Sequence, residues 1–248
     1  MRLGQRFRYF FFISILTFLI LLIISNQVKI NVYKINGSYT SSEDQEWYRI
    51  IGSPYFDEVN ALIQTSDMGF VMVGSTASYG KPGFDVWIVK TNSNGNIEWN
   101  RTYDKGTNEE AHGIIQTTDG GYIVAGWTKS FSSSTDETHD IWVIKVNSTG
   151  FVEWERLYDN SGHEVAFDLI QTHDNGFALA GWTDSFSKDN AGEMLLIQTD
   201  ENGMILWNQT YSCEKDPERN IAYTLIQTTD RGFALLELLD TTKKISCS

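Results

Sequence analysis

The chain has 248 residues, of which 41% are hydrophobic and 13% aromatic, so it can bury a sizeable core and is not a disordered polypeptide. Residues 1–34 carry five basic residues and no acidic one, and the other 14 of the 19 basic residues stand against all 32 acidic ones. Such an acidic remainder cannot neutralise phosphates, which argues against nucleic acid as a partner.

The N-terminus has the pattern of a membrane anchor. Residues 1–8 include three arginines, and residues 9–25 contain no charged residue. Seventeen helical residues span about 26 Å, close to the thickness of a bilayer core. We therefore predict a cytoplasmic tail (1–8), an uncleaved transmembrane helix (9–25) and a linker (26–43), with a cleaved signal peptide as the alternative. Because arginines stay on the cytoplasmic side, the rest of the chain is expected outside the cell membrane, crossing it once.

Two further features agree with an exterior location. Four N-x-[ST] sequons are candidate glycosylation sites: Asn36, Asn100, Asn147 and Asn208. Cys213 and Cys247 are a candidate disulfide in an oxidising compartment, although two cysteines alone show no spacing pattern.

An internal repeat dominates the rest of the sequence. The glutamine of a recurring I-Q-T triplet falls at Gln64, Gln116, Gln171 and Gln227, at intervals of 52, 55 and 56 residues. A tryptophan series repeats with nearly the same period: Trp47, Trp99, Trp154 and Trp207. Two independent markers with one period identify a true repeat.

Each repeat contains four short runs with strand composition. In the second repeat these are residues 112–117, 121–128, 140–146 and 151–158, separated by Asp- and Gly-containing turns. Four strands in such a period are typical of one blade of a β-propeller. We therefore predict an all-β propeller-like array over residues 44–240, with three complete repeats, a partial one, and a C-terminal tail (241–248).

The array begins and ends within a repeat. Residues 46–52 resemble a fourth run, and the last repeat has only its first two runs. We expect the early run to complete the last blade; the missing strand is expected from residues 243–247, from a second copy, or from further sequence if the chain is a fragment. Open blade edges also predict self-association.

The repeats resemble bacterial and archaeal cell-surface propellers of the quinoprotein-like (PQQ-like) type. The resemblance rests on T-x-D-x-G-[FY] followed by a [DE]-x-[WL]-[IVL]-[IV]-[KQ] run and G-x-x-x-W, and it covers about residues 46–240. It implies that the four repeated tryptophans lock adjacent blades together. It does not imply the quinone cofactor, because no vicinal cysteines or quinone-holding basic residue are present.

Candidate binding residues follow from the repeat positions. The four I-Q-T glutamines lie on the first strand, which lines the channel of a propeller, so they are candidate ligands for a small molecule; the alternative is that each amide bonds to a neighbouring blade. Tyr79, in a long loop between second and third runs, is a candidate for stacking on a sugar or peptide.

Asp57, Glu109 and Glu164 stand seven residues before three of the glutamines and are expected at one channel mouth. Converging carboxylates suit Ca²⁺, and the alternative is a solvated acidic rim. No other cofactor is expected.

The absence of catalytic spacing favours a non-enzymatic function. The sequence predicts a membrane-anchored extracytoplasmic binding or adhesion module that recognises a protein or glycan through its blade loops. The alternatives are an extracytoplasmic quinoprotein-like oxidoreductase or other propeller enzyme, and a truncated structural repeat protein without its own activity.

Overall fold

The computed structural model of the chain describes eight segments: 30–34, 47–52, 55–77, 83–129, 138–160, 162–186, 192–212 and 220–237. These residues form β-strands and turns and include no helix. The strands are β1 (Ile30–Lys34), β2 (Trp47–Ile51), β3 (Asp57–Gln64), β4 (Phe70–Thr76), β5 (Asp85–Thr91), β6 (Ile97–Tyr103), β7 (Glu109–Gln116), β8 (Tyr122–Thr128), β9 (Asp140–Val146), β10 (Val152–Tyr158), β11 (Glu164–Gln171), β12 (Phe177–Thr183), β13 (Glu193–Thr199), β14 (Ile205–Tyr211), β15 (Thr224–Gln227) and β16 (Phe233–Leu236).

The strands form three consecutive four-stranded sheets and two strand pairs. Blade 1 is β3–β6, blade 2 is β7–β10 and blade 3 is β11–β14, and within each blade neighbouring strands are antiparallel. The N-terminal pair is β1–β2, and the C-terminal pair is β15–β16. The predicted all-β array of four-stranded units is confirmed. None of the five described sheets closes on itself.

The T-x-D-x-G motif forms the turn between the first and second strands of each repeat. In blade 1, the Thr65 hydroxyl and the Gly69 amide both donate to Asp67 Oδ1, the amide at 2.9 Å. The residue before this glycine has positive φ in every repeat, so the turn needs the left-handed conformation there: Met68 (68°), Gly120 (83°), Asn175 (65°) and Arg231 (69°).

A β-bulge in the fourth strand places a carboxylate against a buried lysine. In blade 1 the β5–β6 register shifts at Glu98, whose carboxylate lies 2.8 Å from Lys90 Nζ. Asp67 of the T-x-D-x-G turn lies 2.8 Å from the same atom. A bulge of this kind re-aims one side chain out of the alternating pattern. Blade 2 repeats the arrangement with Lys145.

The core lies in layers between adjacent units. The third strands of blades 1 and 2 are the most buried, since β5 and β9 are buried along their whole length. Side chains of β5 facing blade 2 pack with Tyr122, Val124, Trp142 and Ile144 in one cluster. A second cluster lies between blades 2 and 3, and smaller ones join the N-terminal pair to blade 1 and the C-terminal pair to blade 3.

The N-terminal pair differs from the sequence prediction. The early fourth-type run, now β2, pairs with β1 and not with the last blade. Strand β1 lies inside the segment predicted to be a linker. The register of β1 identifies it as the equivalent of a third strand, because Lys34 lies opposite Trp47 in the same way as Lys90 of β5 lies opposite Trp99 of β6. Strands β1 and β2 therefore have the pairing of a third and a fourth strand.

The transmembrane helix predicted over residues 9–25 and the strand considered over residues 243–247 lie outside the described residues. Within the segments that the structure describes, no helix is both long and apolar enough to span a bilayer.

Candidate functional sites at the blade junctions

The first junction joins the fourth strand of blade 1 to the last turn of blade 2. Three side chains of β6 donate to three successive carbonyl oxygens of that turn: Trp99 Nε1 to Ser148 (3.1 Å), Arg101 Nε to Thr149 (3.0 Å) and Tyr103 Oη to Gly150 (2.8 Å). Trp99, which was predicted to lock adjacent blades, therefore contacts blade 2.

The second junction repeats this contact with blade 3. Tyr158 Oη donates to the Gly203 carbonyl at 2.8 Å, and the Trp154 ring packs against Phe177. A Cβ at Gly203 would lie 2.8 Å from the Trp154 ring, so only glycine permits this close approach. Burial raises the pKa of Tyr158, as it does that of the equivalent Tyr103, because the hydroxyls lie inside the junctions.

The N-terminal pair meets blade 1 in the same way. Arg49 donates to the Asn96 side chain in the last turn of blade 1, the region that Arg101 contacts in blade 2. Ile51, at the position of Tyr103, is buried against Met72, Trp87 and Val89. Strand β2 thus docks as the fourth strand of a preceding blade. The side chain of Trp47 lies outside the described side chains.

Among the residues that the structure describes, nothing fills the third junction, which is called the open junction below. A groove of about 520 Å³ is lined by Met194, Leu196, Trp207 and Tyr211 of blade 3, by Gly232, Phe233 and Leu235 of the C-terminal pair, and by Glu237, which directly follows that pair. The matching space in the first junction is filled by β9, the third strand of blade 2. The consequence appears in exposure: Tyr211 is 42% exposed, whereas Tyr103 is 8% exposed.

The C-terminal pair is nevertheless fixed to blade 3. Asp168 of β11 accepts the Thr224 hydroxyl (2.5 Å) and the Leu225 amide (3.1 Å) of β15. Leu225 is buried in a cluster with Ala178 and Leu196 of blade 3. In the described segments β16 pairs only with β15, so its other edge faces the open groove.

The predicted ring of glutamines has an identified structural role at two positions. Gln116 Oε1 accepts the Ser66 amide of blade 1 at 2.8 Å, and Gln227 Oε1 accepts the His173 amide of blade 3 at 2.9 Å. Both glutamines therefore bond to the backbone of a neighbouring blade, which was the alternative considered above. Gln64 and Gln171 occupy the same strand position.

The three carboxylates predicted at one channel mouth do not form one cluster. Asp57 accepts the Thr76 hydroxyl at 2.5 Å. Glu109 and Glu164 lie in two separate clusters, each shared between two blades. The clusters are Asp85, Asp104 and Glu109, and Asp140, Asp159 and Glu164. In each, the ligand atoms lie within 4.8 Å of one another.

The two clusters occupy identical repeat positions. The first residue of a third strand (Asp85 or Asp140) meets the residue directly after the fourth strand and the first residue of the next blade. A short backbone bond holds the blades together here, since the Glu164 amide donates to the His139 carbonyl at 2.7 Å. Burial, followed by the charges of Asp159 and Glu164, raises the pKa of Asp140 to about 6 against the effect of His163.

Sequence reasoning found Glu109 and Glu164 but missed their aspartate partners. The signal was present, because D-x-W opens the third run at Asp85 and Asp140, and Tyr-Asp closes the fourth run at Asp104 and Asp159.

The remaining predicted sites fall into two groups. Asn100 and Asn208 are exposed on fourth strands, whereas Asn147 Oδ1 accepts the Thr149 and Phe151 amides at 3.0 Å within its turn. The others lie outside the described residues: Asn36, Tyr79, Cys213 and Cys247.

Comparison with known proteins shows a likeness to solved structures only. No family model matches the chain, and no curated protein matches it. Among solved structures, the chain is similar to a protein of unknown function from Bacteroides caccae, with 11% identity and a TM-score of 0.47 over 89% of this chain and 67% of that one.

Proposed function

We propose that the chain is a membrane-anchored extracytoplasmic binding module of the propeller type, and that it binds a polypeptide strand pair at its open junction. The observation that carries this proposal is the groove between blade 3 and the C-terminal pair. It combines a mainly apolar lining with the edge of a short strand, and a sheet edge of this kind recognises extended polypeptide by strand addition. The basic tail and apolar segment of residues 1–25 support the anchor and the exterior orientation.

The proposed occupant is the N-terminal pair of a second copy of the chain. Strands β15 and β16 have the places of a first and a second strand, and β1 and β2 have the pairing of a third and a fourth. Together they make one four-stranded blade. Arg49 and Ile51 already dock on blade 1 as a preceding blade would, so the occupant would arrive attached to its own array.

The repeat predicts the register in which β16 would pair with β1 of the second copy. Met72 of β4 stands opposite Val89 of β5. The equivalent residues of the two pairs are Leu235 and Tyr33. Opposed residues in antiparallel strands have Cα atoms about 4.5–5.5 Å apart, within the range that a disulfide bridges.

The test is a cross-link between two differently tagged full-length copies in detergent, each carrying Cys213→Ser and Cys247→Ser. One copy carries Leu235→Cys and the other Tyr33→Cys. Mild oxidation is expected to give a disulfide-linked dimer that contains both tags. The matched control replaces Tyr33→Cys by Ile30→Cys, three residues or about 10 Å out of register, and should give much less dimer.

Two results would overturn the second-copy occupant. One is a chain carrying both Leu235→Cys and Tyr33→Cys that cross-links only within itself, which would mean that its own N-terminal pair closes the ring. The other is the absence of any cross-link in folded protein, which would leave the groove to a different partner.

A further inference from the structure

The two carboxylate clusters concentrate acidic groups at the seams between blades, away from the open groove. Each brings three carboxylates from two blades within 4.8 Å. Asp140, Asp159 and Glu164 form the cluster between blades 2 and 3.

Asp140 is the decisive residue. It is 1% exposed, and neither of its carboxylate oxygens has a hydrogen-bond partner among the described residues. A buried carboxylate without partners is costly unless a cation or a proton compensates it. Its oxygen lies in the same cluster as those of Asp159 and Glu164, so the unsatisfied group is directed at two other acids.

The second buried acid is held in place. Glu164 Oε1 accepts the hydroxyls of Thr183, at 2.9 Å, and Ser185. Among the described residues, Glu164 Oε2 accepts only the Asn160 amide, at 3.2 Å. One oxygen thus orients the carboxylate and the other keeps capacity for a ligand. Asp159 is exposed and gives the cluster an opening to solvent.

We propose that Asp140, Asp159 and Glu164 bind a hard divalent cation, Ca²⁺ being the best match, and that Asp85, Asp104 and Glu109 form a second site of the same kind. Ca²⁺ takes oxygen ligands at 2.3–2.6 Å, so oxygens around one ion are separated by up to about 5 Å, as they are here. Water entering beside the exposed aspartate completes the coordination. The ion ties the end of one blade to the start of the next.

The third junction provides an internal comparison. The equivalent positions hold Glu193, Ser212 and Asn220. The Asn220 amide donates to the Gly192 carbonyl at 3.1 Å, a contact that a carboxylate could not make. Two of the three acids are therefore replaced, and this junction should bind no ion.

The test measures Ca²⁺ binding to the full chain in detergent after treatment with chelator. Isothermal titration with CaCl₂ is expected to show two saturable sites, with dissociation constants of about 10⁻⁴–10⁻³ M as in extracellular modules. The melting temperature of the wild type should rise by several degrees in saturating Ca²⁺. Asp140→Asn should remove one site, Asp85→Asn the other, and the double variant should bind no ion and show no thermal shift.

The matched control is Glu193→Gln in the third junction, which should keep both sites. If Asp140→Asn does not fold, Glu164→Gln replaces it, with the same expected loss of one site. The proposal is overturned if the wild type binds no Ca²⁺ saturably, or if folded Asp140→Asn retains two sites.

Discussion

Single hydroxyls and glycines determine how tightly two blades approach each other. Tyr103 and Tyr158 each place a buried hydroxyl on a carbonyl of the next blade. Removal of either hydroxyl leaves a buried acceptor without its donor, which costs about 1–3 kcal/mol.

We therefore expect Tyr158→Phe to lower the free energy of unfolding by about 1–3 kcal/mol, measured by urea denaturation. Tyr211→Phe is the matched control, because the same repeat position is 42% exposed at the open junction and the change should be small. Equal losses in the two variants would contradict the role given to the junction hydroxyls.

Glycine at the docking turn can be tested against a glycine with the same backbone conformation. Gly150 (φ 81°) and Gly120 (φ 83°) carry the same strain when substituted, but a Cβ at Gly150 would lie 2.9 Å from the Trp99 ring, whereas one at Gly120 would meet nothing within 4 Å.

Gly120→Ala should cost about 1 kcal/mol for its backbone conformation alone, and Gly150→Ala should cost clearly more because the docked tryptophan must shift. The difference in urea midpoint between the two variants measures the docking contact. Equal urea midpoints would mean that the turn shifts to accommodate the added methyl group without loss of stability.

At the scale of the strand, the bulged fourth strand and the T-x-D-x-G turn share a lysine. Lys90 is buried between Asp67 and Glu98. The hydrogen bond from Lys90 lowers the pKa of Asp67 to about 2, assisted by the Thr65 hydroxyl and the Gly69 amide.

A carboxylate whose pKa is lower in the folded than in the unfolded state stabilises the fold above its unfolded pKa, near 4, and loses that contribution as pH falls towards 2. In the Lys90→Met variant, the free energy of unfolding should fall less between pH 4 and pH 2 than in the wild type, as measured by urea titration at each pH. Gln198→Met, at the matching position of blade 3, should leave the pH dependence unchanged. An identical acid profile for the Lys90 variant would rule the interaction out.

The docking tryptophans should differ according to their junction. Trp154 lies in the second junction and Trp207 in the open groove. We expect Trp154→Ala to cost about 3 kcal/mol of unfolding free energy, and Trp207→Ala to cost much less in the isolated chain. The latter should instead weaken the cross-link between two copies. Similar stability losses in both variants would contradict an open third junction.

For the whole molecule, the repeat predicted the architecture because its two markers recur in every unit. The run 140–146 was predicted with the bounds that the structure gives. The first strands begin three residues earlier than predicted, at Glu109 in blade 2, because polar residues there are buried by the neighbouring blade rather than by their own pattern.

Strand β1 was not predicted, because it precedes the first T-x-D-x-G motif. Its pairing with β2, which the sequence alone does not show, is what identifies it as a strand of the repeat. The carboxylate clusters were half predicted. Their glutamates stand at a fixed distance from the glutamines, but the aspartates approach them only across a blade junction, a contact that no spacing within one repeat reveals.

The fourth strands of blades 1 and 2 donate hydrogen bonds to the last turn of the following blade, so each of these units is stabilised by the next one along the chain. If the N-terminal anchor proposed above tethers the protein, mechanical load applied at the other end would unfold the units one after another, as in other linear repeat arrays. Each released unit of 52–56 residues would lengthen the chain by about 18 nm. The array would therefore unfold in steps, and the chain would lengthen gradually under load because its units would not all unfold together.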